Sequence, residues 1–197
     1  MNFRKFIPWI IIGVVILWLM SLYNGLVGSR EGVNSKWSNV EAQYQRRSDL
    51  IPNLVATVKG AADFEKSTLE AVIQARANAT SIKVDPNDLT PENLQKFQQA
   101  QGQLSSALGR LLAVAEAYPQ LKSVQNFSEL QAQLEGTENR INEARRQYNE
   151  AAQAYNTTRA KFPRVLVASL FGFKEKPYFQ ADAGTEKAPS VGDEFKK

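Results

Sequence analysis

The chain of 197 residues contains neither cysteine nor histidine. Without cysteine there is no disulfide, no thiol nucleophile and no thiolate metal ligand, and the fold is indifferent to redox compartment. Without histidine it lacks the commonest metal ligand and the side chain that titrates nearest neutral pH, which excludes the Glu-x-x-His di-iron bundles and most helical-bundle enzymes. The sequence also has no Gly-x-Ser-x-Gly elbow, phosphate loop or dinucleotide fingerprint. A large excess of one charge is missing too. With Arg4 and Lys5 set aside, 22 basic residues face 20 acidic ones, so the basic pI is not the footprint of a nucleic-acid binder. These absences predict no catalytic residue, no cofactor, no metal site and no nucleic-acid partner.

What the chain does have is one long uncharged run. No charged residue stands between Lys5 and Arg30, and residues 6–23 are almost wholly apolar, long enough to cross a bilayer. Arg4 and Lys5 would also suit a signal peptide. The apolar stretch exceeds a signal core, however, and Ser21-Leu22-Tyr23-Asn24-Gly25 offers no clear small-x-small cleavage site, so a retained single-pass anchor is expected. Three parts follow: an anchor at 1–25, a domain at 26–179 and a flexible tail at 180–197. The flanking charges lean towards an N-terminus inside, which would put the domain outside the cytoplasm.

Helical periodicity specifies the domain. Phe127, Leu130, Leu134, Thr137, Ile141, Ala144, Tyr148, Ala151, Tyr155, Thr158 and Phe162 recur at alternating steps of three and four over five heptads. The large and small positions alternate, as in a coiled-coil seam. Asn126 with Glu129, or Ser128 with Gln131, would cap this helix, and Phe162-Pro163 would end it. A longer seam precedes it: Val33, Trp37, Val40, Tyr44, Arg47, Ile51, Leu54, Val58, Ala61, Glu65, Thr68, Val72, Ala75 and Ala79. A third helix opens with Thr90 as N-cap and Pro91 in its first turn, carries Leu94, Phe97, Gln101, Leu104, Leu108, Leu111, Ala115 and Tyr118, and closes at Tyr118-Pro119. The expected fold is all-α: a transmembrane helix, then an antiparallel bundle of three long helices with a short C-terminal fourth.

Pro52 sets the topology. A proline inside a helix has no N–H to donate and crowds the carbonyl four residues back, that of Ser48. The seam keeps phase across Pro52 and residues 48–53 hold no glycine, which favours a kink over a reversal there. A kink would leave Phe162 far from the membrane, and a reversal would return it. The oily segment at 163–173, with Val165, Leu166, Leu170, Phe171 and Phe173, reads either as packing over the bundle end or as a docking element for a membrane surface or partner.

Arg47 and Glu65 fall on the apolar seam, and Arg76 lies in a second stripe with Val55, Ala62 and Leu69. On one continuous helix Arg47 and Glu65 would stand about 27 Å apart and could not pair. They act either as interhelical hydrogen bonders that fix register or, with Arg46, Asp49, Pro52 and Asn53, as an exposed recognition patch.

These residues also carry a resemblance. Tyr23-Asn24-Gly25-Leu26-Val27, the run from Arg46 through Val55 (Arg46-Arg47-Ser48-Asp49-Leu50-Ile51-Pro52-Asn53-Leu54-Val55), Val58-Lys59-Gly60, Phe64-Glu65-Lys66-Ser67-Thr68-Leu69, Ala75-Arg76-Ala77, Phe162-Pro163, Phe171-Gly172-Phe173 and Pro177-Tyr178-Phe179 resemble the LemA family signature over roughly residues 20–180. Many members carry histidine where this chain has Phe64. The resemblance implies a bacterial inner-membrane, single-pass protein with a helical bundle, no established enzymatic activity and a small extracytoplasmic N-terminus, the opposite of the charge argument. It also implies association with TPM-domain proteins or membrane proteases, and one branch of the family takes part in magnetosome formation. Two functions are expected to compete: an adaptor for membrane protein partners, and a self-assembling homo-oligomeric scaffold in which the second stripe packs between protomers.

Overall fold

A computed structural model describes residues 6–60, 65–118, 121 and 124–180. Among the described residues stand five α-helices and one short 3-10 turn: α1 at Ile7–Lys59, α2 at Lys66–Ser81, the turn at Pro86–Asp88, α3 at Pro91–Ala115, α4 at Gln125–Ala160 and α5 at Arg164–Leu170. The expected all-α bundle behind an apolar N-terminal helix is the observed architecture. Arg4 and Lys5, Ala61, Ala62, Phe64, Pro119 and the expected flexible tail from Ala181 onward lie outside the described residues.

α1 contains 53 residues and is about 80 Å long at 1.5 Å per residue. Its first third is exposed on all sides, with Trp9, Ile10, Leu17 and Met20 facing outwards, and it is long and apolar enough to cross a membrane. From Leu26 on, one stripe turns inward: Val33, Trp37, Val40, Tyr44, Arg47, Ile51, Leu54 and Val58 are all buried, as the spacing predicts. The helix runs through Pro52 without reversing, also as predicted. α1 ends at Lys59 and α2, from Lys66, runs back beside it, so the single helix expected from Val33 to Ala79 is in fact two. Glu65, expected on the seam, is exposed and stands at the N-cap position of α2.

Cross-helix contacts give the directions. Arg76 reaches back to Ser48, so α2 descends beside α1. Phe97 packs on Trp37 and Tyr44 while Ser105 bonds Arg47 further up, so α3 ascends. Glu138 lies at Arg47 and Tyr148 at Trp37, so α4 descends. The extra leg created at Gly60 returns the chain end to the anchor, where Phe171 packs edge-on against Tyr23 at 5.0 Å. The course in which Phe162 ends far from the membrane does not occur.

Local signals account for two helix ends. Thr90 caps α3, its hydroxyl accepting from the Asn93 amide at 3.2 Å with Pro91 behind it, as predicted. α4 begins after Val124 without a side-chain cap, so neither Asn126 nor Ser128 plays the expected part. Gly172 adopts φ +70°, and the Phe173 amide donates to the Ala168 carbonyl at 2.9 Å. This is a Schellman ending to α5, which a residue with a Cβ would strain.

Two apolar cores are stacked along the bundle. The distal one joins Ile51, Leu54 and Val58 to Val72, Ala79, Leu104, Leu111, Phe127 and Leu134. The proximal one joins Leu26, Trp37 and Tyr44 to Phe97, Ile141, Tyr148, Tyr155, Val167, Phe173 and Phe179. Residues 173–180 form no regular element and lie along the proximal half, where the loop before α3 also tucks in.

Candidate functional site

Between the two cores lies a polar layer built on Arg47. Arg47 is 2% exposed, and its guanidinium donates to Ser105 Oγ at 2.7 Å, Glu138 Oε2 at 2.9 Å, and Gln101 Oε1 and O at 2.7 and 3.3 Å. Its planar face covers the Tyr44 ring at 5.0 Å. Gln101 in turn points its amide at the Ala79 carbonyl at 3.4 Å, so one buried cation engages α1, α3 and α4 directly and reaches the end of α2 through Gln101. A fork of fixed donors suits arginine here and would not suit lysine. A polar cleft of about 400 Å³ lined by Tyr44, Gln98, Ser106 and Arg145 opens beside it.

One helical step on, the proline explains a second arginine. Pro52 cannot donate to the Ser48 carbonyl, and Arg76 Nε from α2 donates to that carbonyl at 2.9 Å. Ser48 is buried, so an unpaired acceptor there would cost free energy. Pro52 and Arg76 thus act as one unit that ties α2 to α1.

The remaining motif residues point away from the core. Arg46, Asp49, Pro52 and Asn53 are exposed, and the Asp49 carboxylate accepts from Gln45 at 2.7 Å on the same helix. The structure therefore separates the expected patch into an outward stripe, Arg46-Asp49-Asn53, and an inward pin, Arg47. Glu65 joins neither: its carboxylate accepts from Ser67 Oγ at 2.7 Å and Thr68 Oγ1 at 3.1 Å, and those bonds hold it below the usual carboxylate range. Leu69 is buried in the distal core and Val55 packs against it, so this second stripe is used within the chain.

Sequence reasoning missed the clasp that holds residues 173–180. Asn149 accepts from the Phe179 amide at 2.9 Å and donates to the Phe179 carbonyl at 3.0 Å. One heptad later Asn156 treats Lys176 the same way, at 2.9 and 2.8 Å. The residue before each asparagine adds a hydroxyl: Tyr148 donates to the Pro177 carbonyl at 2.9 Å and Tyr155 to that of Lys174 at 3.0 Å. The signal was a Tyr-Asn pair repeated at an interval of seven. Phe179 completes the aromatic core, parallel to Trp37 at 5.9 Å and edge-on to Tyr148 at 5.4 Å. Lys176 is buried, and its ammonium donates to the Pro86 carbonyl and to Asn34 Oδ1 at 3.4 Å.

α5 turns Val167 and Ala168 inward, and Phe173 follows them into the core. Val165, Leu166, Leu170 and Phe171 remain exposed, Leu170 to 79%, and so does Phe162 at 80%, contrary to its expected place on the α4 seam.

The LemA family model matches residues 36–192. Magnetosome protein MamQ 2 of Paramagnetospirillum magneticum is 33% identical over 179 residues, which cover 82% of this chain and 66% of that protein. Magnetosome protein MamQ of Magnetospirillum gryphiswaldense is 30% identical over 178 residues, covering 82% and 65%. Protein LemA of Metamycoplasma hominis is 25% identical over 170 residues, covering 86% and 74%. The chain thus spans just under two thirds of the length of the magnetosome relatives it matches.

Proposed function

The chain belongs to the LemA family, and from that premise we propose that it is a non-enzymatic, membrane-anchored adaptor whose bundle recruits a membrane protein partner. The observation that carries this reading is the continuity of α1. One helix is both the apolar anchor and the central post of the bundle, so the outward stripe Arg46-Asp49-Asn53 is held at a fixed height and face above the membrane. Confinement to a surface raises the effective concentration of any partner confined with it, so a small polar contact suffices. The buried polar groups Arg47, Gln101, Asn156 and Lys176 are engaged in holding the fold. The stripe is exposed and is available for recognition. A partner of the TPM-domain or membrane-protease kind fits the family resemblance.

A groove of about 780 Å³ between α2 and α3, lined by Ala71, Ala75, Gly102, Ser106 and Ala107, favours the second reading, a homo-oligomeric scaffold, because small residues let another helix approach closely. One experiment separates the two. Photo-reactive residues at Asp49 and Asn53, and separately at Ser106, are cross-linked in intact cells. The adaptor predicts one reproducible hetero-product from the stripe that disappears in Arg46→Glu at unchanged helicity. Products containing only this chain, raised from Ser106, support the scaffold and overturn the adaptor.

A further inference from the structure

We propose that α5 is an interfacial foot whose exposed apolar face sits in the lipid of an anionic bilayer. The proposal rests on the membrane association of α1 and adds a second, independent contact with the bilayer. The first support is depth. A span of about 30 Å takes about 20 helical residues, and the uncharged run on α1 that begins at Phe6 offers few more. A span over residues 7–26 places Met20 roughly 9 Å and Tyr23 roughly 5 Å below the boundary of the hydrocarbon. Leu166, Leu170 and Phe171 of α5 wall an apolar groove of about 490 Å³ whose opposite wall is Ile16, Leu19, Met20 and Tyr23. A helix that shares a groove with those residues stands at their level. Its outward side chains therefore meet acyl chains, at the depth typical of helices that lie in a membrane surface.

The second support is charge. Residues 157–174 contain Arg159, Lys161, Arg164 and Lys174 and no acidic residue. Arg159 and Lys174 pair with Glu175 at 3.2 Å and Asp88 at 3.1 Å, which leaves Lys161 and Arg164 beside the apolar face, where an anionic headgroup layer attracts basic residues. The third support is the placement of apolar surface. Phe162, Leu166, Leu170 and Phe171 are each more than half exposed, and they continue the exposed apolar surface of the anchor. In water such a patch would be a liability, whereas in lipid it is ordinary.

The test uses the full chain, whose lack of cysteine permits single labels. Leu170→Cys, Ile12→Cys and Lys174→Cys each carry an environment-sensitive fluorophore in vesicles of phosphatidylcholine with a minority of phosphatidylglycerol. Quenching is read with nitroxide-bearing lipids and with an aqueous quencher. The foot predicts that lipid nitroxides quench the Leu170 label several-fold more than the Lys174 label, with the aqueous quencher in the reverse order. A Leu170 label reached from water while the Ile12 label is in lipid overturns the foot and leaves the anchor standing. A Leu170 label shielded from both quenchers indicates a protein contact and overturns it as well. An Ile12 label outside lipid removes the membrane reading itself, and the foot with it.

Discussion

At the scale of single residues, two arginines that look alike in sequence have different work. Arg47 hydrogen-bonds across to α3 and α4, so removing it strands the polar partners gathered for it between two apolar cores. Arg47→Ala should therefore cost about 3 kcal/mol, read as a lower unfolding midpoint of the full chain in detergent, while Arg46→Ala should stay within about 0.5 kcal/mol. Charge reversal at Arg47 thus tests folding, and charge reversal at Arg46 tests recognition. Arg76 offers a sharper test because its acceptor is free only on account of Pro52. Arg76→Ala should cost roughly 1–2 kcal/mol. In a Pro52→Ala background the new backbone N–H takes over the Ser48 carbonyl, and the same substitution should cost about 1 kcal/mol less. Equal costs in both backgrounds would show that the pairing of proline and arginine is incidental.

At the scale of elements, the clasp explains both what the sequence could show and what it could not. The buried faces were legible: every α1 position predicted from Val33 to Val58 is inside, and so are Leu134, Ile141, Tyr148 and Tyr155 of α4. Spacing names the face that packs. It does not say whether the chain reverses, which is why one seam could be read across Gly60 although two antiparallel helices carry it. Residues 173–180 have no helical period to read, and their partners Asn149 and Asn156 look like polar flank until that segment lies beside them. Arg47 was legible as an exception to the apolar stripe, but whether it faced helices or solvent needed the third dimension. For the clasp itself, Asn156→Ala should cost about 1–2 kcal/mol and Phe179→Ala about 3–4 kcal/mol, with faster proteolytic nicking near residue 176 in both. Lys176 adds a pH dependence. Burial first, and Arg30 second, push its pKa below the usual 10.5, while Asp85, Glu31 and Asp88 oppose them. Between the lowered value and 10.5 the unfolded chain holds a proton that the folded chain has lost, so this group's contribution to stability rises with pH across that window. Tyr148 and Tyr155, raised by burial above the usual 10.0, work the other way at higher pH. Denaturation midpoints taken from neutral pH to just below 10 should therefore climb more in the wild type than in Lys176→Met. Parallel profiles would count against the lowered pKa.

At the scale of the whole molecule, the consequence of one helix serving as anchor and post is a height. From Leu26 at the membrane boundary to Lys59 at the distal tip, α1 rises about 50 Å. A transmembrane helix tilted by the usual 20° or so would carry that tip to about 47 Å. A helix alone is free to lean further, and the foot is what resists leaning, because α5 contacts the bilayer to one side of the post while packing against it. A single fluorophore at Lys59→Cys, with acceptors confined to the lipid surface, reads this height directly by energy transfer. The wild-type chain should give a narrow distribution centred on about 47 Å. Leu166→Ser, Leu170→Ser and Phe171→Ser combined alter only exposed side chains, so the bundle should keep its helicity and its midpoint while the distribution broadens towards shorter distances. If the triple variant stands as tall as the wild type, the post is stiffened by the anchor alone, and the stripe on α1 owes its position to the helix without help from α5. If the wild-type tip already lies within about 25 Å of the lipid, which corresponds to a tilt near 60°, the bundle rests on the membrane and partners must approach it from the side.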